Sequence, residues 1–267
     1  MDKSLVGSPT VLVTGAGRGI GRGIAIACAD IGCSVVINYA HDKQSATETV
    51  HICEEHRKSE TQRFERVRAN IASVKGRNYL FNETIKRFGR IDALINNAGV
   101  APKVRNDITM VTVKSFSDVI RVNLEAPFFL TQQVVNYWLS EKIKPLLPSG
   151  YTVMFVSSIS ANTVSTDRGE YCISKAGLSI MSQLWAARLA KHNIQVFELR
   201  PGIIETDMTR KVKDKYDLLI SQGVVPQMRW GTPEDVGLVV SSILSGHFRY
   251  STGQVFNIDG GFHIQRL

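Results

Sequence analysis

Thr10-Val11-Leu12-Val13-Thr14-Gly15-Ala16-Gly17-Arg18-Gly19-Ile20-Gly21 is the stretch that decides the fold. Its first five residues are apolar or β-branched, the composition of a strand buried on both faces. Glycines follow at once, and behind them residues 24–29 read as a helix that stops at Gly32. A strand, a glycine turn and a helix in that order aim backbone N–H groups and a helix N-terminus at one point, a geometry suited to phosphate. Two common phosphate-binding patterns fail on spacing. G-x-G-x-x-G counted from Gly15 ends on Ile20, counted from Gly17 it ends on Arg22, and no Gly-Lys-Ser/Thr follows. What stands is T-G-x-x-x-G-x-G, from Thr14 to Gly21. Glycines that merely serve a tight turn are the alternative reading.

Outward from this stretch the alternation continues. Residues 34–38, 63–68, 91–95, 152–156, 194–199 and 254–258 read as further strands. Residues 43–58, 73–88, 114–139, 170–191 and 233–244 read as helices between them. The pattern predicts an α/β, Rossmann-like, doubly wound single domain, 1–267: a seven-stranded parallel sheet with helices on both faces and a site at the strand C-termini. The least regular piece, 205–229, carries the basic run Thr209-Arg210-Lys211-Val212-Lys213-Asp214-Lys215. Its place after a strand end suits a substrate lid, and an exposed loop is the alternative.

Composition excludes several classes. With 43% hydrophobic and 21% charged residues over 267 positions, the chain can bury a substantial core. No apolar run approaches the ~18 residues of a membrane span, and residues 1–9 have no stretch of signal-peptide length, so a cytoplasmic location and no membrane partner are expected. Cys28, Cys33, Cys53 and Cys172 contain no C-x-x-C pair and read as free thiols. His51 and His56 flank Cys53 in a charged helical stretch, which is commonly a solvated face, and no metal is expected there. The net charge of +8 favours an anionic partner. The densest basic stretch, residues 57–90, lacks the aromatic interleaving of a nucleic-acid reader, so phosphates of a cofactor or an acidic carrier are expected before DNA or RNA.

Further along stands Tyr171-Cys172-Ile173-Ser174-Lys175. Spacing i to i+4 puts the phenol and the ammonium on one helical face. A phenol titrates near pH ~10, and an adjacent ammonium favours phenolate, so the pair can exchange a proton with a carbonyl or an alcohol. The spacing alone is weak, because it arises by chance on amphipathic helices.

In combination these residues resemble the classical short-chain dehydrogenase/reductase family, over nearly the whole chain. The matching pieces, in order, are Thr14 to Gly21, Asn96-Asn97-Ala98-Gly99, Asn123, Ser158, Tyr171 with Lys175, Pro201-Gly202 leading to Thr206, and Asp259-Gly260-Gly261. The resemblance implies an oxidoreductase in which Tyr171 is the acid-base residue and Lys175 lowers its pKa and bonds the nicotinamide ribose. Ser158 would hold the substrate oxygen, and Asn123 a water linking Lys175 to solvent. Ser157 is the neighbour most easily confused with Ser158, and turn or helix-capping roles are the alternatives for these serines and for Asn123.

The resemblance also implies where a dinucleotide lies. Its phosphates would meet Gly15, Gly17, Gly19, Ile20 and Gly21; its adenosine end would meet Arg18, Asn38, Tyr39, Asn70 and Ile71. The nicotinamide half would meet Asn97, Ala98 and Gly99, then Tyr171 and Lys175, then Pro201, Gly202, Ile204 and Thr206. NAD enzymes of this fold commonly carry an acid at the end of the second strand. Tyr39 stands there instead, and Arg18 in the glycine loop is placed to pair with a 2′-phosphate. NADP(H) is therefore preferred, with NAD(H) the alternative. Asn38-Tyr39-Ala40, residues 229–236 and residues 252–261 are most similar to 3-oxoacyl-acyl-carrier-protein reductases. These imply NADPH-dependent reduction of a 3-oxoacyl thioester, with acyl carrier protein as a candidate partner and a homotetramer as the assembly. Ser149 and His192 stand where such reductases present basic carrier-docking residues, a departure from the pattern. A sugar, polyol or other secondary-alcohol dehydrogenase, and a non-catalytic dinucleotide sensor, remain the alternatives.

Overall fold

The computed structural model describes residues 7–141, 143–210 and 212–265. Among them seven strands form one fully parallel sheet: β1 Thr10–Val13, β2 Ser34–Tyr39, β3 Phe64–Arg68, β4 Ala93–Asn96, β5 Thr152–Val156, β6 Gln195–Pro201 and β7 Val255–Ile258. Their order across the sheet is β3-β2-β1-β4-β5-β6-β7. The inner five strands are enclosed: β1, β2, β4 and β5 are buried at every position, as is β6 apart from Arg200. Burial on both faces is why these strands read as continuous apolar runs.

The helices are α1 Gly19–Asp30, α2 Lys43–Glu55, α3 Val74–Phe88, α4 Val113–Ile120, α5 Ala126–Ser140, α6 Gly169–Leu189, α7 Asp207–Arg210, α8 Lys213–Ser221 and α9 Pro233–Leu244. They cover the two faces and make two cores. One gathers Val11, Val13, Ile24, Ile37 and Phe197 with α1 and α9; the other gathers Leu12, Leu94, Phe155, Leu130 and Leu178 with α5 and α6. Local signals set the helix ends. Asp42 accepts the Ser45 N–H, Ser73 accepts that of Gly76, and Thr232 and Asp235 exchange bonds in a capping box behind Pro233.

Sheet order places the site. From β1 the chain winds outward one way through β2 and β3, and from β4 the other way, so the crevice at the C-terminal ends of β1 and β4 is the switch point.

One expectation is corrected. The helix expected over 114–139 is two helices separated by a π-helical turn at Arg121–Glu125. Pro127 has no backbone N–H, so the ordinary i+4 donor to the Asn123 carbonyl is missing, and the Ala126 N–H reaches back five residues to the Arg121 carbonyl. Of the apolar residues on α4, α5 and α6, Val119, Val134, Trp138, Leu178, Met181 and Leu189 are buried, whereas Phe116, Phe128 and Leu184 are exposed.

Within 205–229 lie α7 and α8; Ile220 of α8 joins Ile203 and Val225 in a small cluster, with Tyr216 and Trp230 packed edge to face beside it. Lys211, within the expected lid, lies outside the described residues, as do the chain ends. No helix of the described residues is long and apolar enough to cross a membrane.

Charge pairing disperses the basic stretch. Arg57 pairs with Glu54, Arg63 with Glu65, Arg87 with Glu83 and Glu65, and Arg90 with Asp92. The cysteines are free; Cys53 faces the core while His51 pairs with Glu55 and His56 with Asp30. Among the described residues no group of His, Cys, Asp or Glu is placed to hold a metal ion.

Candidate active site

The glycine turn at the end of β1 is held from both sides. Thr14 Oγ1 accepts the N–H groups of Asn97 and Ala98, each at 3.0 Å, and Asn97 Nδ2 donates to the carbonyls of Thr14 and Gly15 at 2.8 and 3.1 Å. Gly15 takes φ +62°, and a Cβ there would lie 2.9 Å from Ala98 Cα. A Cβ at Gly21 would collide with the Gly15 carbonyl oxygen. Arg22 and Thr49 secure Gly17, whose carbonyl accepts from both at 3.1 and 2.9 Å. No side chain caps α1, so its first N–H groups, at Gly19 and Ile20, are available to an anion. A pyrophosphate fits this cradle.

The adenosine end is mixed in character. Asn38 is buried, its amide committed to the backbone of Gly15, Val67 and Ala69. Tyr39 packs in the core, Ile71 is buried, and Asn70 is exposed with its Oδ1 on the Ala72 N–H. Arg18 extends between two carboxylates, Asp42 at 3.8 Å and Asp207 at 3.5 Å. Asp42 is itself held below the usual carboxylate range, first by its hydrogen bonds from Ser45 and also by Arg18. On the nicotinamide side Ile204 is buried at the start of the helical segment, and the Thr206 methyl would lie 3.3 Å from a Cβ on Gly19. Gly202 is anchored through its N–H to Ile258 at 3.0 Å, just past Pro201 at the end of β6.

The four residues expected to act chemically converge at the ends of β4, β5 and α6. Ser158 follows β5; its Oγ accepts the Ser160 N–H at 3.1 Å, and its hydroxyl is near enough to the Tyr171 phenol to favour phenolate. Lys175, one turn beyond Tyr171, is buried; its Nζ donates to the Val156 carbonyl at 2.9 Å and lies 5.6 Å from the centre of the Tyr171 ring. A Cβ on Gly99 would be 3.4 Å from that Nζ, so the turn after β4 borders the lysine. Asn123, in the π turn, is fully enclosed: Oδ1 accepts the Val100 N–H at 2.8 Å, and Nδ2 donates to the Val100 carbonyl and to Ser174 Oγ, each at 3.0 Å. Its side chain thus locks the turn after β4 to α6, and its backbone carbonyl is the group Pro127 leaves free of a helical donor.

Burial holds the phenol of Tyr171 above its ordinary pKa, while the Ser158 hydroxyl and the Arg168 guanidinium pull it down. Burial also brings Lys175 down to about 8, against a smaller upward pull from Glu198. The phenol is therefore protonated at neutral pH, the state required of a proton donor.

Ser157 and Ser158 are told apart. The Ser157 hydroxyl donates to the buried carboxylate of Glu198 on β6, which also accepts from Ser179 at 2.8 Å and from Arg200 at 2.8–2.9 Å. Glu198, Arg200 and Ser179 carried no motif in the sequence. The pairing of β5 with β6 sets Glu198 beside Phe155, and Ser179 reaches it from α6, one turn beyond Lys175. Arg168 also went unnoticed: its guanidinium carbon lies 5.5 Å from the centre of the Tyr171 ring.

A family model described as enoyl-(acyl carrier protein) reductase matches residues 15–263. The 3-oxoacyl-[acyl-carrier-protein] reductase FabG of Staphylococcus epidermidis is 31% identical over 256 residues, covering 96% of this chain and 99% of that protein. The chain belongs to the short-chain dehydrogenase/reductase family. A crystal structure of a 3-oxoacyl-[acyl-carrier protein] reductase from Brucella melitensis in complex with NAD superimposes with a TM-score of 0.91, 37% identity, and coverage of 98% of this chain and 100% of that one. A putative NAD(P)-dependent gluconate 5-dehydrogenase from Beutenbergia cavernae with bound NADP gives 0.83 at 27% identity, covering 96% and 97%. The fold and oxidoreductase class expected from the sequence are thereby established, as is a nicotinamide dinucleotide as the family's cofactor.

Proposed function

We propose that this chain is an NADPH-dependent carbonyl reductase that reduces a 3-oxoacyl thioester to the 3-hydroxyacyl product. The observation that carries the reading is the hydroxyl pair of Ser158 and Tyr171, with Lys175 behind it, at the crevice where the glycine cradle opens. The 3-oxoacyl reductases among its relatives support the substrate class. When bound, the dinucleotide supplies the hydride. The protein's residues do the rest. Ser158 and Tyr171 converge on the ketone oxygen as donors, stabilising the charge that develops there, and Tyr171 delivers its proton. Lys175, charged below about 8, faces the ribose side and favours phenolate once the proton has left. Asn123 fixes the turn on which the nicotinamide would rest and offers its free carbonyl to a water connecting Lys175 to solvent.

NADPH is preferred on the strength of Arg18, with Tyr39 where an acid would oppose a 2′-phosphate. The 205–229 segment would close as a lid, and an acidic carrier protein could deliver the substrate, in the cytoplasm. The exposed Phe128 and Phe129 on α5, and Ile180 and Leu184 on α6, support pairing of these helices between subunits of a homotetramer. A gluconate 5-dehydrogenase among the structural relatives keeps polyol oxidation as the second reading.

The test is NADPH oxidation with acetoacetyl-coenzyme A, run beside NADH and beside Tyr171→Phe. Turnover with NADPH that is lost in the variant supports the reading. Preferential oxidation of polyols by the same preparation overturns it.

A further inference from the structure

β6 carries a carboxylate where the positions on either side of it, Phe197 and Leu199, are apolar. Glu198 is 0% exposed, stands in register with Phe155 of β5, and faces α6. Both of its oxygens are engaged. One accepts from the Ser157 hydroxyl and from the Arg200 guanidinium at 2.8–2.9 Å, and the other accepts from Ser179 Oγ at 2.8 Å. Arg200 also donates to Ser179 Oγ at 2.9 Å, which closes the network.

Stability alone is a poor reason for such a pair. Burying two charges costs much of what their attraction returns, and apolar residues of similar volume commonly serve as well. Position offers another reason. Ser157 directly follows Val156, whose carbonyl accepts the Lys175 Nζ at 2.9 Å, and Ser179 stands one turn beyond Lys175 on the same helical face. One carboxylate thus grips the strand end and the helix on either side of the lysine's own bond. Its charge also reaches the lysine, pulling it upward against the stronger effect of burial. The other surroundings of Lys175 are Tyr171 on its own helix, whose phenol burial keeps protonated at neutral pH, and Gly99 after β4, which borders both the lysine and the Asn123 amide of the π turn.

We infer that Glu198 is a positioning residue for the reaction: it fixes the Val156 carbonyl and α6 around Lys175, and it supplies the negative charge that keeps the buried ammonium charged while Tyr171 works. This rests on the carbonyl-reductase reading, in which a charged Lys175 favours the phenolate left when Tyr171 gives up its proton. Glu198 touches neither substrate nor cofactor in this role and acts through the lysine.

The experiment follows the pH dependence of kcat/KM for NADPH-dependent reduction of acetoacetyl-coenzyme A in the wild type, Glu198→Gln and Arg200→Gln. The carbon-13 resonance of the Lys175 Cε, assigned by its loss in Lys175→Met, is titrated in the same proteins, and circular dichroism confirms folding. Glu198→Gln keeps the shape and can still bond both serines, because a hydroxyl accepts as well as donates, so it removes the charge and spares the clamp. Arg200→Gln removes the opposing cation and leaves the carboxylate. The alkaline midpoint of the rate and that of the resonance should both fall by at least about half a pH unit in Glu198→Gln and rise by a similar amount in Arg200→Gln. If Glu198→Gln does not fold, the direction of the shift in Arg200→Gln decides. Midpoints that stay in place, or that move the same way in both variants, overturn the inference and leave the reductase standing. Opposite movements of the resonance with no reduction of the ketone uphold Glu198 as the group that keeps Lys175 charged and reject the reductase reading.

Discussion

Ser157 donates its hydroxyl to the buried Glu198 carboxylate, while its neighbour Ser158 faces Tyr171. Adjacent residues leaving a strand end point to opposite sides, so one serine is committed to the protein interior and the other to the crevice. The two substitutions should therefore separate. Ser158→Ala should lower kcat by roughly 10²–10³, the cost of a lost donor to a developing oxyanion, with little change in stability. Ser157→Ala should cost about 1–3 kcal/mol in urea unfolding, because Glu198 loses a partner, and reduce kcat far less. Equal effects on kcat would contradict the assignment.

Pro127 explains the π turn, and its removal should close it. In Pro127→Ala the new N–H can donate to the Asn123 carbonyl and continue a regular helix. Activity is expected to fall by about tenfold or more, a part of the roughly 10²–10⁴ that general acid–base catalysis contributes, because the acid stays in place and loses only its path to solvent. Thermal stability should hold or rise. Hydrogen exchange at residue 127 would report the new bond directly.

Burial brings Lys175 down to about 8 in the folded protein from its ordinary 10.5. Its folded value is depressed, so the unfolded chain binds more protons between these values and stability rises with pH across that window. Below about pH 8 the buried ammonium costs stability, of the order of 3 kcal/mol for the full shift. Lys175→Met should therefore unfold at higher denaturant than the wild type at pH 7, with the gap narrowing from pH 8 to 10.5. A constant gap would show that the loss of the bond to Val156, not the charge, governs the difference.

Arg18 lies 3.8 Å from Asp42 and 3.5 Å from Asp207, so any 2′-phosphate must compete with two carboxylates. Asp42→Asn should tighten NADPH severalfold and leave NADH nearly unchanged, since these exposed pairs are individually weak. Arg18→Ala should reverse the ranking. Fluorescence titration of both cofactors checks each.

Leu184 is 62% exposed on α6, beside Ile180 at 54%. Leu184→Glu places a charge in the proposed subunit contact and should shift the light-scattering mass towards a dimer or monomer, without altering the circular dichroism of the fold. A wild type that is already monomeric would remove the tetramer from the reading.

Much of the fold was legible in the sequence because burial on both faces leaves an unbroken apolar run in each inner strand, and helix caps are local chemistry. The glycine turn and the Tyr171–Lys175 spacing were legible because each is a local motif, although the groups that hold the turn, Asn97 and Ala98, come from the end of β4. α4 and α5 were read as one helix over 114–139 because a π turn preserves apolar spacing well enough to hide, and Pro127 was the available signal. Tertiary structure alone decided the rest. Glu198 meets Ser157 across 41 residues, Asn123 meets Ser174 across 51, and Arg105 meets Asp167 from a different segment. Such pairs have no shared period or motif; they exist because parallel strands bring the C-terminal ends of distant segments to one edge of the sheet. The sequence by itself determined the sheet, the cradle and the candidate proton donor. Only the packed structure decided that Ser157 turns to Glu198, what lies behind the lysine, and that the Arg168 guanidinium lies over the tyrosine ring.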